Sequence, residues 1–482
     1  MAHIINACVS AGKFPDKLKV VRVIPVYKKN AKDEITNYRP ISLISIFSKI
    51  IEKVIYNSVY DFLSKFNILC TEQKGFRKNT NINMAIYDFV NLILPSVDNK
   101  IPICALFTDL SKAFDYVDHD ILLRKLEAYG IRGNALSLIK TYLEGRQQFT
   151  ETSRVCFKTK KERKFASSYR TVKFGVPQGS VLGPLLFLLY INDLPTHMRY
   201  PIVLFADDST LIIKCKNRNT YEIDINNALK DFINWLKKNN LIINLDKTKV
   251  MHFYQRIPNK DINVNYKGQS IDKVTTAKFL GITFDSQLKW KAHSDEVCKK
   301  LSSATYALYN LNKKVNINTV LTAYHSLVAS ILRYGVIFWG NCSESENIFK
   351  AQKRCIRCIA NIKVTDSCMP VFKKYKLLTF PCLYILELAI FVKTNIHLFP
   401  TLQDTRIRNT ELRSNYKDKL YTARYKTTLL KKNITCMAPQ IYNHIPKIIK
   451  EQAVNKFKRN LKEMLIEKCY YSVSEFLNDM TL

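Results

Sequence analysis

Glycine and proline are scarce in this chain, with 12 and 15 copies among 482 residues. That excludes a collagen-like repeat and Gly/Pro-rich low complexity. Acidic residues are short too: 40 Asp plus Glu face 75 Lys plus Arg, a formal charge of +35. Such an excess meets a polyanion or repels itself, and nucleic acid is the expected partner. The chain has no GxGxxG, no Walker-type GxxxxGK motif, no GxSxG and no HExxH, so several common enzyme classes lack their signatures. The strongest apolar run, Val181 to Ile191, is broken by Gly183-Pro184 and falls short of the roughly 20 residues a spanning helix needs. No membrane partner is expected. The N-terminal stretch MAHIINACVSAGKF lacks a basic segment followed by a long apolar one, so secretion is not expected either. Thirteen cysteines, scattered from Cys8 to Cys469, suit reduced thiols in an intracellular setting, nucleus or cytoplasm.

What is present is enough apolar residue, 47%, to bury real cores. The run VVRVIPVY reads as a strand that ends in Lys28-Lys29. A long amphipathic helix is expected next, entered through Arg39-Pro40, with Ile44, Phe47, Ile51, Val54, Ile55, Phe62 and Leu63 at helical spacing. A loop holding Gln73 to Arg77 precedes a helix over 83–94. Ile101 to Phe107 suits a buried strand terminating at Thr108-Asp109. A helix follows, with Asp118 as its cap and Gly130 as its stop. A hairpin spans 147–174 with the charged run KTKKERK at its middle. GVPQGSVLGP then introduces an apolar helix. Two further apolar strands flank a polar turn, Ala206 to Thr210, which carries Asp207 and Asp208. Beyond about Asp285 amphipathic helices dominate, and residues 401–470 hold 16 Lys/Arg against 6 Asp/Glu.

A lone carboxylate at a strand end or in a turn is ordinary turn chemistry. The combination differs: one acid ends a buried strand, an acid pair sits at a hairpin tip, and a Gln-Gly turn lies between them in sequence. Three carboxylates converging on one sheet repel unless cations intervene. Mg²⁺ takes oxygen ligands, keeps waters and is held by one or two carboxylates plus substrate phosphates. Two such ions about 4 Å apart can stabilise the attacking and leaving oxygens of an in-line phosphoryl displacement.

The segments NYRPISL, QKGFR, FTDLSKAFDYVDH, GVPQGSVLGPLLFLLYINDL, FADD, Leu241 to Phe253 and KFLGITFD occur in the order found in reverse transcriptases of non-LTR, LINE-type, jockey-like retrotransposons. The resemblance covers roughly residues 14–290. It implies an α+β right-hand polymerase fold: fingers and palm over 1–285, the palm a small antiparallel sheet, a helical thumb over 286–345, and a basic helical C-terminal region over 346–482 that binds nucleic acid. It implies an RNA-directed DNA polymerase with RNA template, DNA primer and dNTPs as partners and two Mg²⁺ ions as cofactors. Asp109 and Asp207 would each bind both ions, with Asp208 the third member of the metal site. Phe114 resembles the steric gate against a ribose 2′-OH, and Gln178 would contact the incoming nucleotide. Arg39 and Lys49 resemble residues that meet triphosphate or template, and Arg77 would grip template backbone. Lys247 matches the lysine that protonates or holds the leaving pyrophosphate. Phe279-Leu280-Gly281 resembles the primer grip.

Cys355 and Cys358 form a single CxxC without a second ligand pair, so no zinc site is expected. His119, beside Asp118 at a helix start, reads as local turn chemistry. Full elements of this type carry an endonuclease ahead of the polymerase, and none is found here; the chain is expected to be a truncated copy or a partial gene model. The alternative reading is an inactive nucleic-acid-binding remnant. A viral RNA-dependent RNA polymerase is disfavoured by FADD in place of the usual GDD and by Phe114 at the gate, and telomerase and group II maturase readings by the jockey-like motif spellings.

Overall fold

The structure is a computed structural model that describes residues 1–155, 162–214, 220–253, 262–405 and 419–481. In chain order its first elements are α1 (Ala2–Ala11), β1 (Val20–Tyr27), β2 (Tyr38–Leu43), α2 (Ile46–Lys65), α3 (Ile82–Asp98), β3 (Ile103–Thr108), α4 (His119–Ala128) and α5 (Gly133–Leu143). Next come β4 (Gln147–Val155), β5 (Glu162–Ala166), β6 (Arg170–Thr171), α6 (Leu182–Ile191), β7 (Ile202–Phe205), β8 (Asp208–Lys214) and α7 (Tyr221–Lys238). β9 (Lys249–His252), β10 (Asn265–Tyr266), β11 (Gln269–Ser270) and β12 (Asp272–Lys273) follow. The fold is α+β, as expected, and it falls into two units. One is built mainly from Met1–Val90 and Pro102–Met251, the other mainly from Thr275–Leu482.

Among the described residues the first unit holds two five-stranded sheets and the small antiparallel pair β10–β11. One runs in the order β12-β9-β3-β8-β7, the other β2-β1-β4-β5 with β6 also paired to β4. The expected antiparallel sheet is therefore a mixed one: β3, β8 and β7 pair antiparallel, but β12 joins β9 in parallel. β3 is buried along nearly its whole length because it lies inside this sheet, which is why its sequence is a continuous apolar run without alternation. α6 buries nine of its ten residues and has no polar face, the pattern of a helix enclosed by other elements. α4 and α2 pack against it. Asp118 caps α4 by accepting from the Ile121 N–H at 3.0 Å, and His119 Nε2 contacts the Gly175 carbonyl at 2.8 Å.

Two local expectations need correction. Arg39-Pro40 lies in a strand, not at a helix start. β2 pairs antiparallel with β1, setting Pro40 opposite Pro25, and α2 begins only after Ser45. Neither proline can donate to a ladder, but β2 is an edge strand, and β1 pairs with β4 only over Val20 to Val23, so Pro25 lies beyond that stretch. The turn around the acid pair is also tighter than expected. Phe205 pairs with Asp208, leaving only Ala206 and Asp207 at the tip, with Ala206 at φ 55°. Most of the charged run within the 147–174 hairpin lies outside the described residues.

In the second unit β13 (Thr276–Phe279) and β14 (Ile282–Asp285) form a hairpin whose turn residues, Leu280 and Gly281, both have positive φ. The Tyr334 hydroxyl donates to the Leu280 carbonyl at 2.7 Å, and a Cβ on Gly281 would lie 2.9 Å from that oxygen. α8 (Lys291–Asn312) packs along α12 (Ser345–Ala360), with α9 (Ile317–Tyr324), α10 (Ser330–Arg333) and α11 (Val336–Trp339) between them in the chain. Cys355 is buried on α12 with its sulfur 3.0 Å from Thr305 Oγ1, and among the described residues no cluster of metal-ligating side chains forms. α13 (Met369–Lys374) leads to α14 (Phe380–Thr394), which is buried on almost all sides, with the helices Ile434–His444 and Val454–Lys468 against it. Among the described residues no helix is long and apolar enough to cross a membrane.

His293 on α8 is buried, accepts the Thr283 N–H on Nδ1 at 3.3 Å and meets the Trp339 ring edge-on. Burial pushes its pKa down from 6.5 to about 4, and Lys300 and Lys278 act in the same direction. The unfolded chain takes up this proton near pH 6.5 and the folded chain only near 4, so stability from the neutral ring is complete above 6.5 and drains away below it. Denaturant midpoints measured at pH 7 and pH 4.5 should fall with acid, and fall less in His293→Gln; equal falls in both proteins would remove His293 as a source.

Candidate active site

The register of β3 and β8 brings the acids together. Thr108 pairs with Ser209, and its hydroxyl donates to the Ser209 carbonyl at 2.9 Å. Asp109, one residue past β3, therefore emerges beside Asp208 at the start of β8 and Asp207 in the turn. The Asp109 carbonyl accepts the Asn244 N–H at 2.8 Å, and Ser111 N–H donates to the Ile242 carbonyl, which lays segment 242–247 along the same strand end. Asn244 caps the short turn Leu245–Lys247, and Lys247 Nζ reaches Asp109 Oδ2 at 2.8 Å.

Charge at this edge is set by mutual repulsion and its partial relief. The pKa of Asp207 is raised, first by burial and then by Asp109, against the pull of Lys28 and Arg39. Asp208 is pushed up to about 6 by burial and by both neighbouring carboxylates. Lys28 is lowered by burial and by the cations Arg39, Lys247 and Lys29, and Asp109 opposes the shift. Three carboxylates and three cations, Lys28, Arg39 and Lys247, thus share one neighbourhood. The sequence alone marks Lys28 only as the basic end of a strand; what identifies it is the β1–β2 hairpin, which sets it near Arg39.

The remaining sequence candidates are placed as follows. Phe114 is half-buried, stacked on Phe187 at 4.8 Å and edge-on to Phe76 at 6.3 Å. Its carbonyl accepts the Val176 N–H at 2.8 Å. Gly175 has φ 85°, and a Cβ there would lie 2.8–2.9 Å from the Asp115 and Phe114 backbone, so only glycine lets the 114 loop and the PQG turn approach. Gln178 accepts the Ser42 N–H on its carbonyl at 2.8 Å and lines a cavity of about 460 Å³ with Pro40, Ser42, Asp115 and Phe174. Arg77 turns inward: its Nη1 donates to the Cys70 carbonyl and, at 3.3 Å, to that of Gln73. Lys49 stands exposed on α2 and makes no ion pair among the described residues. Phe279 to Gly281 belong to the hairpin of the second unit.

A sequence profile described as reverse transcriptase (RNA-dependent DNA polymerase) matches residues 26–284. The chain belongs to the reverse transcriptase family. Among curated relatives, the probable RNA-directed DNA polymerase from transposon BS of Drosophila melanogaster is 30% identical over 75% of this chain and 40% of its own length. The RNA-directed DNA polymerase from mobile element jockey of the same species is 27% identical, over 72% of this chain and 38% of its own. That from the X-element is 28% identical, over 71% and 37%. The jockey-like resemblance therefore holds, and the chain spans 40% or less of these relatives' lengths. Among solved structures, apo telomerase from Candida tropicalis aligns over 78% of this chain and 63% of its own, with a TM-score of 0.39 and 13% identity, too distant a likeness to carry an argument.

All the site candidates fall inside the reverse transcriptase match, and so does a residue that sequence reasoning passed over. Glu52 on α2 is fully buried. Its Oε2 accepts the Val181 and Leu182 N–H groups at 2.7 and 3.3 Å, and its Oε1 accepts the Ser48 hydroxyl at 3.0 Å. It holds the start of α6 immediately after the PQG turn, where a carboxylate also suits the helix dipole. The available signal was an acid between Ile51 and Ile55 on the buried face of an amphipathic helix. Glu52→Ala leaves buried N–H groups unpaired and should cost roughly 2–3 kcal/mol in denaturant unfolding; a loss below ~0.5 kcal/mol would show that the cap is dispensable.

Proposed function

We propose that this chain is an RNA-directed DNA polymerase that extends a DNA primer on an RNA template with dNTPs. The observation that carries the reading is the meeting of Asp109, Asp207 and Asp208 with Lys28, Arg39 and Lys247 at the end of β3 and the β7–β8 turn. Asp109, Asp207 and Asp208 offer the oxygen donors that hard divalent cations such as Mg²⁺ take and would be the holders, although among the described residues the three do not form a preassembled ligand group. Bound there, two such ions supply Lewis-acid stabilisation to the attacking and leaving oxygens of the phosphoryl displacement.

The chain's own residues do the rest. Lys28 and Arg39 hold the triphosphate by charge, and Arg39 offers a planar fork suited to phosphate. Lys247 Nζ, paired with Asp109 before substrate arrives, is placed to give its proton to the departing pyrophosphate. Phe114, held by Phe187, is the surface on which a ribose 2′-OH clashes. Gln178 lines the cavity beside it and orients the nucleotide. Lys49 and Arg77 are assigned to the template path, Arg77 through the loop it braces.

The thumb is assigned to residues 286–345 and a nucleic-acid-binding region to 346–482, the latter on its excess of Lys and Arg. Eleven free cysteines among the described residues support an intracellular location, nucleus or cytoplasm.

Purified protein given an RNA template, a DNA primer, dNTPs and Mg²⁺ should extend the primer, and Asp207→Ala should lower the rate by at least on the order of 10²-fold. Equal extension by both proteins would sink the site assignment. Salt-dependent RNA binding by both with extension by neither would favour a binding-only protein. Phe114→Val should admit ribonucleotides: the ratio of kcat/KM for dNTP over NTP should drop at least about tenfold, and an unchanged ratio would acquit Phe114 of the gate role.

A further inference from the structure

Gln73 sits in the loop between α2 and α3, is 3% exposed, and has a side chain wholly committed to one residue of the candidate site and its own loop. Its Oε1 accepts the Ala206 N–H at 2.9 Å and the Gly75 N–H at 2.8 Å. Its Nε2 donates to the Ala206 carbonyl at 3.2 Å. One carboxamide therefore satisfies both backbone groups of Ala206, as a neighbouring strand would. The main chain around it does the same for the preceding turn of the ladder: Leu204 N–H donates to the Glu72 carbonyl at 3.1 Å, and Lys74 N–H to the Leu204 carbonyl at 2.9 Å.

Ala206 needs that support. It is a non-glycine residue at φ 55°, a conformation that costs an L-residue about 1–2 kcal/mol. It immediately precedes Asp207, so its φ and ψ set the direction in which both acids leave the β7–β8 turn. Gly75 completes the clamp by contact: a Cβ there would lie 2.2 Å from the Ala206 nitrogen, so the loop seats directly on the turn.

We infer that Gln73 is a positioning residue, whose carboxamide locks Ala206 in the left-handed conformation and thereby aims Asp207 and Asp208. The inference rests on the polymerase reading for its catalytic consequence, but the clamp itself is measurable without activity. Methionine at 73 has similar volume and neither hydrogen-bonding group. Glutamate keeps the acceptor, loses the donor and adds a carboxylate beside Asp207.

Three measurements on the full chain test it: steady-state primer extension, melting temperature, and amide hydrogen exchange of peptides covering 204–209 and 103–108. Q73M should lower kcat by on the order of 10²-fold with KM for dNTP within about threefold, since a misaimed group loses rate and not substrate affinity. Exchange at 204–209 should rise at least about tenfold in Q73M while 103–108 stays protected. Q73E, keeping the bond to the Ala206 N–H, should restore the exchange protection and part of kcat. A purely space-filling role predicts a lower melting temperature with kcat unchanged, and that result overturns the inference, as does unchanged exchange at 204–209. If wild type extends no primer, the polymerase reading falls and the exchange comparison alone decides the clamp. If Q73M does not fold, Q73E against wild type decides: a lower kcat at equal melting temperature supports the inference, and an equal kcat overturns it.

Discussion

Like charge gathered at the end of one sheet is the constraint around which the first unit is arranged. Asp109, Asp207 and Asp208 arrive there because β3 and β8 pair in a register that sets Thr108 against Ser209. The pKa values of Asp207 and Asp208 are raised by burial first, and then by their repulsion. In this structure it is offset by Lys247 on Asp109 and by the approach of Lys28 and Arg39 from the β1–β2 hairpin. Under the proposed polymerase reading, hard cations and a polyphosphate between the two sets of charges would relieve it further.

Holding that arrangement requires contacts that contribute no chemistry of their own. Glu52 fixes the start of α6, and with it the turn carrying Gln178. Gly175 lets the Phe114 loop close against the same turn. Gln73 and Gly75 seat a second loop on Ala206. In each case a side chain or a missing side chain meets a backbone group, so a turn that would otherwise sample several conformations is confined to one. The same device appears in the second unit, where the Tyr334 hydroxyl pins Leu280 in the hairpin turn.

The charge excess has a different character from the site. Most of the 75 basic residues are far from the aspartates in sequence, and the segment 401–470 is among the richest, although part of it lies outside the described residues. Under the proposed reading, such a surface would contribute affinity for phosphate backbones without base preference and leave the chemistry to the few residues at the sheet end.

Apolar periodicity made much of the fold legible: the continuous run of β3 and the faceless α6 both formed as such elements, because burial on both faces or all round leaves a mark in composition. Motif order identified the family and named the acids. Arg39-Pro40 was misread as a helix start, because pairing with β1 is a contact distant neighbours make and local propensity does not encode. Lys28, Glu52 and Gln73 were equally out of reach as functional groups. A lysine at a strand end, an acid on an apolar helix face and a glutamine in a loop look ordinary until their partners, Asp109, Val181 and Ala206, are brought within hydrogen-bond or Coulomb range. Sequence by itself determined which groups are available and which segments are buried, since both follow from side-chain chemistry. Only the tertiary structure decided which groups meet and which backbone conformations are held, since both depend on register and packing between distant segments, such as Asp109 and Lys247, 138 residues apart.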